Sequence, residues 1–193
     1  GSSDRKTDHI NGVQSWFDTL SGIGEVLYKQ EFRYSNSKGN REWSKASSPD
    51  GEKYCNCARF VSWALQAYGP TSENGYKGTV WSDGKKMRKS GGSSLGSNLE
   101  KIDADGQTAN ELGSDLLPGD ICFFRMKSGN GHVAVYAGKN EDGKNLWFNA
   151  GRNVTDTGKA GGYYMEDSVG PSSKDTFHNN SKIITILRII SFE

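Results

Sequence analysis

An α+β fold is expected, with N-terminal helices packed on an antiparallel sheet of about five or six strands. Three observations predict it. Apolar residues recur at helical spacing in two segments of the first 70 residues. The β-branched and aromatic runs lie almost entirely after residue 117. Glycine-containing turns separate those runs at intervals suited to antiparallel strands.

The first helix is expected over about Val13 to Tyr28, where Val13, Trp16, Phe17, Leu20, Ile23 and Leu27 form one stripe and Gly22 and Gly24 weaken its end. Tyr34 to Glu52 is polar and turn-rich. A second helix is expected from Cys57 to Tyr68, with Phe60, Val61, Ala64, Leu65 and Tyr68 on one stripe, Asn56 as N-cap and Gly69-Pro70 as the stop. From Thr71 to Leu116 periodic apolar positions are few, so a long loop with short helical turns is expected. Strands follow at Ile121–Phe124, Gly131–Gly138, Leu146–Ala150, Gly162–Met165 and Ile183–Ile190.

All 193 residues are read as one domain, with residues 1–50 its N-terminal helical and loop segment. Gly1-Ser2-Ser3, without an initial Met, reads as the remnant of an expression tag on a domain taken from a longer chain. Lys plus Arg number 24 and Asp plus Glu 23, so neither a nucleic acid nor a membrane surface is expected as partner. Lys85, Lys86, Arg88 and Lys89 make a local basic patch, read as a solvated loop. No apolar run reaches the ~20 residues of a membrane span. Three cysteines, an odd number, argue against a disulfide framework.

Cys57 opens the second helix, where backbone N–H groups and the helix dipole favour a thiolate and can hold an oxyanion. A lone cysteine on a helix stripe is usually a small core residue; its setting sets Cys57 apart. His132 opens a strand, and if Gly138 and Gly143 face each other in the following hairpin, His132 lies opposite Asn149. An amide beside an imidazole is the base-and-orienter part of a Cys–His–Asn triad. A one-residue slip would separate the pair onto opposite faces. Cys55 and Cys122 read as structural, and His9 and His178 as dispensable. The C-x-C spacing of Cys55 and Cys57, with no matching second pair, is a weak zinc signal, so neither metal nor cofactor is expected. Asp120 at its turn is expected to be structural.

Asn56-Cys57-Ala58-Arg59-Phe60-Val61-Ser62-Trp63 resembles the Asp-Cys-Ser-Gly-Phe-Val segment of NlpC-type cell-wall cysteine peptidases. Leu117-Pro118-Gly119-Asp120-Ile121-Cys122-Phe123-Phe124 and Gly131-His132-Val133-Ala134-Val135-Tyr136-Ala137-Gly138 resemble two later segments of that family, and Trp147-Phe148-Asn149-Ala150 falls where it carries its third polar residue. The resemblance spans roughly residues 50 to 190, in order. Asn56, Ala58 and Arg59 depart from the usual Asp, Ser and Gly, and Arg59 puts a cation near the nucleophile. CHAP amidases share the Cys and Gly-His pattern.

The resemblance implies a papain-like fold and hydrolysis of an amide bond in peptidoglycan stem peptides. Cys57 is then nucleophile, His132 base and Asn149 orienter. Asn56 and Arg59 are candidates for substrate or oxyanion contacts. Tyr34 corresponds to a tyrosine that many relatives bring to the site, and fits an exposed position equally well. Arg59 or Lys85 is expected to meet stem carboxylates, with the 71–116 segment walling the cleft. The other readings are an N-acetylmuramoyl-L-alanine amidase, a related enzyme acting on another amide, or an inactive wall-binding module. The peptidase reading carries a monomer, outside the cell or on its wall.

Overall fold

The computed structural model describes residues 2–39, 41–47, 49, 51–68, 80, 98–125, 131–139, 141, 143–150, 178, 180–190 and 192, with residues 2–11 described by backbone only. The expected strand at Gly162–Met165, the Gly69-Pro70 stop and the basic patch around Lys85 lie outside these residues.

Helix α1 (Ser2–Lys29) begins before the expected position but buries the expected stripe, with Val13, Trp16, Leu20 and Leu27 in the core. Trp16 Nε1 donates to the Gly119 carbonyl at 3.2 Å. Gly119 has φ +97°, and a Cβ there would lie 2.8 Å from Val13 Cγ2, so only glycine fits between helix and turn. Two short strands, β1 (Arg33–Tyr34) and β2 (Tyr54–Cys55), pair in parallel and tie the loop after α1 to the start of α2 (Cys57–Ala67). Asn56 caps α2 as expected, its Oδ1 accepting from Arg59 N at 2.8 Å. Phe60, Val61, Ala64 and Leu65 are fully buried, so α2 is the central helix of the molecule.

Strands β3 (Leu99–Gln107), β4 (Ile121–Arg125), β5 (Gly131–Lys139), β6 (Asn145–Phe148) and β7 (Ile183–Ile189) form one antiparallel sheet in the order β3-β7-β4-β5-β6. The α+β class is therefore as expected. One face carries Ile121, Phe123, Val133, Val135, Leu187 and Ile189 and packs against α1 and α2. The other carries Cys122, Phe124, Ala134, Tyr136, Trp147 and Ile186 beneath the short helix α3 (Ala109–Leu112), which a Thr108–Glu111 capping box starts.

Strand β3 was not expected: the segment 71–116 reads as loop, yet residues 99–107 form an edge strand. Its composition, Leu-Glu-Lys-Ile-Asp-Ala-Asp-Gly-Gln, has the charges that protect an open edge, and these mask the alternation. A register shift between Asp103 and Gln107, with Asp105 and Gly106 at positive φ, bends it.

Asp120 is fully buried and takes both Nε (2.9 Å) and Nη2 (2.8 Å) of Arg188, while its Oδ2 also accepts from Leu117 N at 2.8 Å. This clamp holds the turn into β4 against β7. Asp120→Ala leaves Arg188, only 19% exposed, without its counter-charge. The expected loss is about 3–5 kcal/mol in urea unfolding, with specific activity per folded molecule retained. A loss below about 1 kcal/mol, the level of a surface pair, would contradict the structural reading.

Candidate active site

Cys57 occupies the first helical position of α2. Arg59 N is taken by the Asn56 side chain and Phe60 N by the Asn56 carbonyl, at 3.0 Å. The N–H groups of Cys57 and Ala58 thus stay outside the helical ladder, at the positive end of the dipole. The start of β5 meets the thiol here: the Val133 backbone N–H, the His132 ring and the Tyr34 hydroxyl all hydrogen-bond to Cys57 Sγ. Burial pushes the Cys57 thiol up. The field and hydrogen bond of His132, the Val133 N–H and the Tyr34 hydroxyl outweigh it, and the net direction is down. Tyr34 is itself pushed up, by burial first and by the charge of Cys57 second, so its hydroxyl stays protonated as a donor.

His132 is half-buried at the end of its strand and joins two environments. One ring nitrogen serves the thiol on the α2 side. Its Nε2 lies 3.0 Å from Nε2 of His178, leaving Nδ1 for Cys57. His178 is buried among aromatic rings on the other face, stacked on Trp147 (centroids 5.4 Å apart, planes 25°) and edge-on to Phe124 (5.4 Å, 78°). Burial, and then the charge of His132, hold His178 well below the usual histidine range, so it stays neutral. A neutral His178 can accept from His132 Nε2 at its own Nε2 when its proton sits on Nδ1.

The structure thus brings Cys57, His132 and Tyr34 together as sequence reasoning expects, and adds a further histidine behind the base. His178, expected to be dispensable, lies with Nε2 3.0 Å from His132 Nε2. Val135 pairs with Phe148 and Tyr136 with Trp147, two residues away from the register that opposes His132 to Asn149. The hairpin closes on Lys139 and Asn145 after an irregularity between Tyr136 and Gly138, rather than on the two glycines. A shift of two keeps the face, so Asn149 continues the Trp147 side and is buried, level with Ala134 and one pleat from His132. The signal for His178 is topological. Phe124 pairs with His132 in β5 and with Ile183 in β7, so the chain entering β7 passes the His132 end of the sheet.

Asn56 is engaged within the protein at both ends of its amide, with Nδ2 donating to the Asn36 carbonyl at 3.4 Å and Oδ1 capping α2. It ties the Tyr34 loop to the nucleophile helix. Arg59 is half-buried at the third residue of α2, two residues after Cys57 and about 200° round the helix from it. Cys55 and Cys122 are buried, and no group of three or more metal-ligating side chains forms among the described residues. Lys85 lies outside them.

No family model, curated protein or solved structure matches the chain. Iodoacetamide near neutral pH is expected to label Cys57 well ahead of the other two thiols. Burial pushes Cys55 up to about 12 and Cys122 well above the ordinary thiol value, whereas Cys57 is lowered. Peptide mass spectrometry after a brief native pulse checks this; equal labelling of all three thiols would contradict it.

Proposed function

We propose that the protein is a cysteine-dependent hydrolase that cleaves an amide bond in peptidoglycan stem peptides, on a papain-like variant of its α+β fold. The observation that carries the reading is the hydrogen-bonded line from Tyr34 through Cys57 and His132 to His178 at a helix N-terminus. Such a line is more than packing requires, because it lowers the pKa of a thiol in a buried place.

In this mechanism His132 Nδ1 holds the proton of Cys57, and the thiolate attacks the carbonyl carbon of the scissile amide. The carbonyl π electrons move to oxygen, and the Ala58 N–H and the Cys57 N–H, the latter on leaving the Tyr34 hydroxyl, would donate to that oxyanion. As the intermediate collapses, the C–N bond breaks and His132 Nδ1 protonates the departing amine. A thioester remains on Cys57. His132 then takes a proton from water, the resulting hydroxide displaces the thiolate, and the carboxylic acid leaves. Throughout, His178 Nε2 accepts from His132 Nε2 and keeps the ring oriented when it is charged.

Peptidoglycan is favoured as substrate by the ordered resemblance of residues 56–63, 117–124 and 131–138 to NlpC-type segments. Arg59, two residues along α2 from Cys57, carries a cation suited to the free carboxylates of stem peptides. Peptide rather than glycan cleavage follows from the side chains at the site, which are a thiol, two imidazoles and a phenol. Glycan hydrolysis normally uses two carboxylates about 5–10 Å apart, and Asp120 is already held by Arg188. The protein would act at the cell wall.

The test is digestion of purified peptidoglycan followed by mass spectrometry. New amines with shortened stem peptides are the expected products. Whole stems released from muramic acid would make the protein an amidase. New reducing ends with intact stems, or no product from a folded protein, would overturn the proposal.

A further inference from the structure

We infer that Trp147 is a positioning residue for the His132–His178 pair, its indole plane serving as the platform that aims His178 Nε2 at His132. This rests on the reading of His178 as the acceptor behind the catalytic base, and adds the part of the fold that holds that acceptor in place.

His178 stands five residues before Ile183, the start of β7, so no ladder bond of that strand sets its ring. Two aromatic contacts do. Trp147 lies parallel to it at 5.4 Å and Phe124 meets it edge-on at 5.4 Å, fixing two directions of the imidazole plane. Trp147 is itself anchored. It pairs with Tyr136 in the β5–β6 register, packs on that ring at 5.1 Å and meets Phe124 at 5.4 Å. Behind it Tyr136 Oη donates to Asn145 Oδ1 at 2.9 Å, and Asn145 Nδ2 donates to Asn110 Oδ1 at 3.3 Å, which stiffens the wall. Trp147 is 1% exposed, so its indole also keeps water from that side of the histidine pair.

A platform of this kind does two things. It prevents His178 from rotating its Nε2 away from His132, and it disfavours a charge on His178, which would turn the acceptor into a second donor. Among the described residues, the titratable groups around the relay are Cys57 of α2, Tyr34 of β1 and Cys55 of β2 on one side, and Tyr136 of β5, packed on Trp147, on the other. Burial raises Tyr34, Cys55 and Tyr136, so these three stay neutral near pH 7 and a change in the Cys57 profile reads the histidine pair.

The experiment follows the rate of Cys57 alkylation against pH, which needs no substrate, in the intact protein and in Trp147→Leu, Trp147→Phe, Phe124→Leu, His178→Ala and Leu112→Ala. Trp147→Leu is expected to slow alkylation at pH 7 by about tenfold and to move the midpoint upward, since His132 loses the support that keeps it charged. Trp147→Phe keeps a flat apolar ring and should stay within about threefold of the parent. Phe124→Leu should move in the same direction as Trp147→Leu by a smaller amount, and decides the matter if Trp147→Leu does not fold. Leu112→Ala thins the same apolar cluster from α3 and should lower Tm without moving the profile. A folded Trp147→Leu, or in its absence Phe124→Leu, with the parent profile overturns the inference. So does Leu112→Ala shifting the profile as far as Trp147→Leu. His178→Ala separates the levels. If it shifts the profile and Trp147→Leu does not, only the platform fails; if it does not shift the profile, the relay fails with it.

Discussion

Cys57→Ala is expected to lower hydrolysis by roughly 10⁴-fold or more, while Cys55→Ala and Cys122→Ala retain most of it. The three thiols are all buried, so burial does not distinguish them. What does is the company each keeps. Cys57 has the N-terminus of α2 beneath it and His132, the Val133 N–H and Tyr34 around it. Cys55 lies in the apolar core below Tyr34, raised by burial and then by the charge of Cys57. Cys122 is on the far face of the sheet, where burial and the Asp120 carboxylate raise it. His132→Ala should be about as damaging as Cys57→Ala, because a nucleophile and its base act as a unit and their losses do not add. Steady-state kinetics on a released stem peptide, with circular dichroism to confirm folding, measure both. A folded Cys57→Ala with near-parent turnover, or an inactive but folded Cys55→Ala, would sink the assignment.

The nucleophile and base were legible because each is marked locally. An N-cap residue, a helical stripe and a stop identify α2, and a Gly-His pair before an alternating run identifies β5. Helix order and strand clustering sufficed for the α+β class. The hairpin shows where local reading stops. Its face was correct and its register two residues out, because the irregularity between Tyr136 and Gly138 takes up residues that no composition announces. Strand β3 was hidden for a different reason. Its partner is β7, more than 70 residues later, and its charges are those of an edge. His178 combines both difficulties. It lies in a polar stretch with no periodic neighbours, and reaches His132 only because β7 lies beside β4, an arrangement that exists in the sheet and not along the chain.

That further histidine gives the second large effect. His178→Ala should lower kcat by roughly 10²-fold or more with little change in KM, since the acceptor orients and supports the base without binding substrate. Asn149→Ala should leave kcat within about tenfold of the parent and act mainly on stability, as loss of a buried polar residue does. The order is opposite to the one that a Cys–His–Asn reading of the hairpin predicts. His178→Asn should recover part of the loss, because an amide oxygen can accept from His132 Nε2 even though it cannot stack fully on Trp147. The pH profile adds an independent check. Burial, and then the charge of His132, lower the pKa of His178, so the acceptor stays neutral as pH falls through the usual histidine value near 6.5. The parent should therefore keep its relay under mildly acidic conditions, and its kcat profile should show no acid limb from His178 there. If His178 were solvated, protonation would set two cations side by side at a 3.0 Å separation and activity would fall through that range. Parent-like kcat in a folded His178→Ala, together with a collapse in Asn149→Ala, would return the orienting role to Asn149.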